Sequence, residues 1–370
     1  MIITIIIVVV SLIILMALHE LGHFLAAKKC GVRVEEFGIG YPPRIFGKKI
    51  KGTLYSLNWL PFGAFVKILG EDKRINDPKS FSKKPIIQRA FILAAGVISF
   101  WFIAFLILTF TFTFFRVPTS IENQSGENFI NPRVIVSDLT TDASAHQAGI
   151  KLGDEIVALE SPAEKIDNII EIEQIGDFVS QYLGQEIIVY VKKQSGEVLP
   201  IQVTPQELSV EIEGQGLIEY IGIGVALARV GDVRYAWYEA PGRAAIVVFS
   251  KTIEMPRELA RIIWQKIKGE EIVGLEIKGI VGIGQIMGNA LNQGIGNYFT
   301  LVAILAIWLA IANLFPIPAL DGGRLLFLAI EAIKGKPVSE KIETKITAFF
   351  FILLIGIMAL VTIKDIVGLF

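Results

Sequence analysis

Four uncharged stretches, residues 1–18, 91–115, 279–320 and 346–363, restrict the folds open to this chain more than any other feature. Each is long enough to cross a bilayer, which takes about 20 apolar residues for roughly 30 Å of hydrocarbon. Inside lipid every backbone N–H and C=O needs a partner within the protein, so such stretches become helices. The third is long enough for a span plus broken or re-entrant structure. The rest of the composition agrees: of 370 residues, 53% are hydrophobic and only 19% charged, too apolar a balance for an ordinary soluble domain. A net charge of −1 does not favour a nucleic-acid partner. The single cysteine, Cys30, excludes intrachain disulfides and four-cysteine zinc sites.

Charge placement predicts the topology. No basic residue precedes the first apolar run and no small-residue cleavage site follows it, so it does not read as a secretory leader. Its basic flank, Lys28, Lys29 and Arg33, lies after it. The positive-inside rule then puts the amino terminus outside and His19 near the cytoplasm. Residues 24–90 are dense in Lys and Arg and are expected in the cytoplasm. Residues 116–296, richer in Asp and Glu, are expected outside. Arg324, Lys334 and Lys336 return to the cytoplasmic side.

Between the spans, residues 54–69 (LYSLNWLPFGAFVKIL) are apolar and aromatic, interrupted by Pro61 and Gly63, and too short to cross. They read either as a hairpin dipping into or packed beside the membrane, or as a small cytoplasmic sheet. A polar linker, residues 119–128, leads into an α+β module of about 100 residues, a normal domain size. Expected strands are 133–137, 155–159, a hairpin of 186–192 and 198–203 about residues 194–196, and a further strand at 220–226. Expected helices are 143–148 and 168–182. Residues 235–268 are helical in pattern, too charged to span, and open to a break near Pro256. They fit an amphipathic helix on the outer membrane surface or a connector packed on the module.

The chemistry lies in HELGH, at the inner end of the first apolar run. His19 and His23 are four residues apart, so on a helix they project from one face. Two imidazoles on adjacent turns supply two ligands for tetrahedral zinc. Glu20 is the candidate base, able to take a proton from the metal's water and return it to a leaving amine. His, Glu and His in an apolar helix are costly and are kept for a function. A third ligand is required, and Asp321 in NLFPIPALDGGRLL is the candidate. It follows the long uncharged run, with two prolines before it to break the helix and two glycines after it to allow close approach. Its alternative is a helix cap at the membrane surface. Asn313 could donate to a developing oxyanion or bond a neighbouring helix. His146 falls in the outer module and is expected to be an exposed helix residue.

In order along the chain, HELGH with FLAAKKCGVRVEEFGIG, then LPFGAFVKILGED, AGIKLGDEIVAL and NLFPIPALDGGRLL resemble the site-2 protease family of intramembrane metalloproteases. The closest likeness is to its bacterial regulator-of-sigma-E protease branch. The resemblance implies a polytopic α-helical membrane protein of about four transmembrane helices. It would carry an inserted extracytoplasmic α+β domain of PDZ type and a membrane-associated β-hairpin. The implied units are residues 1–115 with the first two spans, HELGH and the hairpin; 116–232, the PDZ-like domain; 233–296, the outer helix and a Gly-rich segment; and 297–370, the last two spans. His19, His23 and Asp321 would bind Zn2+, Glu20 would be the catalytic base, and Asn313 would lie near the scissile bond. Substrates would be single-span membrane proteins such as anti-sigma factors, or signal-peptide remnants, cut in the bacterial inner membrane among its lipids. The PDZ-like domain would filter by size and the hairpin would hold the unwound substrate as an added strand.

Several residues depart from the family pattern. Pro42 and Ala64 stand where glycines are usual, Val97 and Phe100 where proline and asparagine are usual, and Val281 where a proline is usual. Two rival readings remain: a catalytically silent membrane scaffold that binds peptides through the PDZ-like module, and a zinc transporter. Intact Glu20 argues against the first. The lack of ionisable residues in the second and fourth apolar stretches argues against the second.

Overall fold

A computed structural model describes residues 2–121, 129–140, 143–193, 195–212, 216–269 and 278–367. Four helices are long and apolar enough to cross a membrane, over Thr4–Lys29, Ile86–Phe114, Ile295–Leu314 and Glu340–Val367. The first apolar stretch continues without a break as helix α1 (Ile2–Lys29), so HELGH sits well inside a helix rather than at its end. At 1.5 Å per residue, its 28 residues reach about 42 Å.

After α1 come two bent strands, β1 (Val34–Ile50) and β2 (Thr53–Ile68). They join through Lys51 and Gly52, both at positive φ (47° and 85°), as a two-residue hairpin loop requires. Pairing is irregular. Val34–Ile39 runs beside Ala64–Ile68 on one side and beside Leu54–Leu57 on the other, while Arg44–Ile50 folds back on Thr53–Asn58. The expected hairpin and the expected small sheet are therefore one object. The expectation is corrected in extent: residues 54–69, expected to hold the whole hairpin, form its second strand, and the first comes from residues 34–50, for which the sequence suggests no strand. Gly63, at φ 97°, sets β2 against Met16 of α1, one turn before His19.

Helix α2 (Ile86–Phe114) begins five residues before the uncharged stretch and is the central pillar, packed on α1 and on helices introduced below. The β-rich unit follows. It comprises β3 (Val117–Ser120), β4 (Ile130–Leu139), α3 (Ser144–Gln147), β5 (Glu155–Glu160), β6 (Lys165–Asp167), α4 (Ile172–Gln181), β7 (Ile187–Lys192), β8 (Val198–Val203), β9 (Gln206–Ile212), β10 (Gly216–Gly222) and β11 (Val225–Val233). One sheet has the order β3-β11-β4-β5-β7-β8, with β6 paired to β5, and β9 and β10 form a separate hairpin. Alternating Ile187, Val189 and Val191 of β7, with Val134, Ile156 and Phe178, make its core. The expected strand at 220–226 is corrected: the chain breaks at Ile223 and Gly224, whose φ of 80° ends one strand before the next starts. The expected helix at 168–182 is trimmed to α4, because Glu171 caps it with Gln174 in a reciprocal capping box. Part of the polar linker and Gln194 lie outside the described residues.

Helix α5 (Ala240–Ile267) runs unbroken through Pro256. It leaves Trp237 and Tyr238 before it, and Ile246, Phe249, Ile263 and Trp264 along it, exposed. The long third apolar stretch resolves into α6 (Ile280–Gln293) and α7 (Ile295–Leu314), divided at Gly294 with φ 134°. Pro316 and Pro318 then interrupt the helix before α8 (Asp321–Lys334). Helix α9 (Glu340–Val367) closes the described chain and buries none of its residues. It is tied at one end by Asp365, which accepts from the backbone N–H of Gly279 and of Gly282 at 2.7 Å each. At the other end Glu340 accepts from the Arg74 amide at 2.9 Å. Helix α2 also packs on α5, α7 and α8, and this assembly carries the largest apolar core, including Leu15, Phe100, Leu108 and Ile307.

Candidate metal centre

His19 and His23 lie on successive turns of α1 and are nearly buried, with 4% and 6% of their surface exposed. Glycine lets α2 come this close. A Cβ on Gly22 of α1 would collide with the Ala95 carbonyl and Ser99 of α2, and a Cβ on Gly96 would run into both imidazoles. His23 Nδ1–H donates to the Ile92 carbonyl at 2.9 Å, which fixes its tautomer and leaves the Nε2 lone pair facing inward. The His19 ring stacks on Phe100 instead, with centroids 4.3 Å apart and planes 21° from parallel.

The third group arrives from the far end of the chain. Asp321 is the first residue of α8, and the two glycines after it are needed for packing. A Cβ on Gly322 would strike the carbonyls of Leu314 and Phe315, and one on Gly323 the carbonyl of Ile317. The helix start is thereby pressed onto the broken segment that precedes it. Asp321 Oδ2 stands 3.4 Å from His19 Nε2 and 3.2 Å from His23 Nε2, and the two Nε2 atoms are 3.3 Å apart.

Those three separations can be tested against metal geometry. Donors about 2.0 Å from a tetrahedral zinc stand about 3.3 Å from one another. The observed triangle matches this edge on all sides. Asp321 Oδ2 and His19 Nδ1 are buried and make no hydrogen bond among the described residues. With neutral imidazoles, the His23 Nε2 lone pair and the Asp321 carboxylate oxygen face each other at 3.2 Å, an arrangement that a cation between them relieves. The donor set therefore fits zinc. Among the described residues this is the cluster of His, Cys, Asp or Glu side chains able to surround a metal ion.

Other sequence candidates fall as follows. Glu20 is half-buried beside His19. Asn313 lies near the end of α7, and its Nδ2 donates to the Leu309 carbonyl of its own helix at 2.9 Å. His146 is exposed on α3. Three residues were missed. Gly96 and Phe100 of α2 touch the histidines; Gly96 looks like any span residue, and Phe100 stands out only as a departure from the family pattern, with no role attached. Arg324, read only as a topological charge, forks between Glu71 and Asp72 one turn after Asp321. Burial pushes the Glu71 carboxyl up and Arg324 pulls it back.

Two imidazoles and a carboxylate able to hold a metal ion, beside helices long enough to cross a bilayer, are the setting that a membrane zinc metalloprotease needs. The model of "Peptidase family M50" matches residues 7–357, and the chain belongs to this family of zinc-dependent proteases, which act on membrane proteins. Three curated relatives are each named "Putative zinc metalloprotease". One from Clostridium perfringens is 31% identical, covering 95% of this chain and 95% of its own length. One from a Nostoc species is 29% identical over 96% and 93%, and one from Clostridium acetobutylicum is 29% identical over 98% and 97%.

Proposed function

We propose that His19, His23 and Asp321 hold the zinc ion and that Glu20 is the general base of an endopeptidase that cuts within the membrane. The observation that carries this is the triangle of donors 3.2, 3.3 and 3.4 Å on edge, two of them from α1 and one from α8. A zinc ion held there supplies Lewis acidity and a water of lowered pKa, about 7 in related chemistry. Glu20 would accept a proton from the attacking water as its oxygen bonds to the carbonyl carbon, and would return it to the amide nitrogen as the C–N bond breaks, so the two fragments part as neutral amine and acid. His23 is kept in its ligating tautomer by the Ile92 carbonyl. Asn313 turns its amide toward the scissile carbonyl once released from Leu309.

The substrate is a single transmembrane segment, from a single-span protein such as an anti-sigma factor or from a signal-peptide remnant. Its helix hides its peptide bonds, so it must open first. The β1–β2 ribbon beside Met16 supports a site where the opened segment adds as a strand. The β-rich unit, residues 116–232, is a PDZ-like domain outside the bacterial cytoplasmic membrane, and it admits only trimmed substrates. Residues 1–115, 233–296 and 297–370 form the other units, with the metal near the cytoplasmic face. The basic residues around α1 and in 24–90 support this orientation.

The test is cleavage of a labelled single-span substrate in detergent by the wild type, by Glu20→Gln and by the wild type with chelator. Loss of at least about a hundredfold with Glu20→Gln and silence after chelation are expected. Cleavage by Glu20→Gln at the wild-type rate would overturn the assignment.

A further inference from the structure

The two histidines of the cluster are restrained by different physics. His23 has a hydrogen bond from Nδ1–H to the Ile92 carbonyl at 2.9 Å. His19 Nδ1 is buried and has no hydrogen-bond partner among the described residues. An imidazole that binds metal through one nitrogen ordinarily anchors the other N–H on a carboxylate, carbonyl or water, and this anchor sets the ring's tautomer and rotation. The nearest hydroxyl is engaged elsewhere: Ser99 Oγ donates to the Gly96 carbonyl at 2.7 Å and leans toward the His19 carbonyl at 3.4 Å. Among the described residues no hydrogen bond at Nδ1 fixes the rotation of the His19 ring about its Cβ–Cγ bond.

We infer that Phe100 is a positioning residue for the metal centre, holding the His19 imidazole by face contact in the attitude that presents Nε2 to the metal. This rests on the reading of His19 as a ligand. Phe100 is fully buried, at 0% exposure, and so has a fixed ring of its own. Its centroid lies 4.3 Å from that of His19 with the planes at 21°. The His23 ring stands near-perpendicular to His19, at 4.8 Å and 89°. With the Phe100 face stacked on it, a turn of the His19 ring drives its rim into Phe100. A flat side chain does here what an acceptor does for His23.

The experiment uses the full chain in detergent. Zinc affinity is measured by competition with a chromogenic chelator, and the cobalt-substituted protein is examined by visible absorption, which reports ligand geometry. Phe100→Leu and Phe100→Met keep an apolar side chain but lose the flat face. Phe100→Tyr keeps the face. The expected result is about a tenfold loss of zinc affinity and altered cobalt bands in Phe100→Leu and Phe100→Met, with both restored in Phe100→Tyr. Wild-type affinity and spectrum in the folded Leu or Met variant would overturn the inference. His19→Ala separates the two readings. Its failure to lose tight zinc binding would instead remove His19 from the ligand set.

Discussion

Arg324 grips Glu71 from the turn of α8 that follows Asp321, although the two are 253 residues apart in sequence. Its second nitrogen reaches Asp72 Oδ1 at 3.1 Å. Glu71 closely follows the end of β2. The helix that begins with the proposed third ligand is therefore fastened to the end of the ribbon that lies against α1. Removing the guanidinium leaves the Glu71 carboxylate, only 14% exposed, without its counter-ion. Arg324→Gln is expected to destabilise the protein by about 1–3 kcal/mol and to weaken zinc binding. Adding Glu71→Gln should recover part of the stability loss. Thermal unfolding of the two single variants and the double variant measures the coupling, and strict additivity would argue that the pair is idle.

Gly96 is where α2 passes nearest to the imidazoles. Gly96→Ala puts a methyl group into the space of both rings, so zinc affinity should fall at least about tenfold, with proteolysis lost in parallel. Gly356→Ala is the control, because a Cβ there meets nothing within 4 Å. Equal zinc titrations for the two variants would show that the helices part more easily than this packing implies.

The amino-terminal end of α2 is joined to α8 by a two-pronged ion pair, Arg89 Nη1 to Glu331 Oε2 at 2.9 Å and Nη2 to Oε1 at 2.6 Å. Arg89 holds the Glu331 carboxyl below its usual range. A folded-state value below the unfolded one stabilises the protein above the unfolded value, and that contribution is lost as pH falls through the folded one. Wild type should therefore exceed Glu331→Gln by about 2 kcal/mol at pH 7. The gap should close as the pH falls below about 4.3, the ordinary glutamate value. Unfolding midpoints from pH 7 down to pH 3 test this, and a gap that widens in acid would contradict it.

Helix α9 has no buried residues, so its end contacts matter unusually. Asp365 accepts two backbone N–H bonds at the start of α6, as a capping side chain does. Asp365→Ala should cost about 1 kcal/mol and loosen that end. Hydrogen exchange reads the loosening at the Gly279 and Gly282 amides, which should exchange faster in Asp365→Ala. Unchanged exchange would mean that other contacts hold the helix.

What the sequence disclosed follows a physical rule. His19, His23 and Asp321 were legible because an ionisable group within or beside a long uncharged run stands out. Two prolines and two glycines also mark where the backbone breaks and where it must be approached closely. Strand β1 was not legible. Its charges, Glu35, Glu36, Arg44, Lys48 and Lys49, and the pair Pro42-Pro43 hide the alternation that a strand shows when one face is buried. The division of residues 279–320 at Gly294 was hidden for the opposite reason, since a glycine among apolar residues is ordinary in a span. Phe100 shows the limit most clearly. In composition and periodicity an apolar residue in an apolar helix has no pattern to violate; its departure from the family's usual asparagine gave no role, and its contact with His19 exists only once α1 and α2 are side by side.

The partner of His23 Nδ1 is a main-chain oxygen, that of Ile92. Every amino acid brings the same atom to that position, so drift at residue 92 leaves the tether in place, and a scan of substitutions there would pass over it in silence. Only a change in the path of α2 itself, such as an inserted residue that rotates the helix, would untie it.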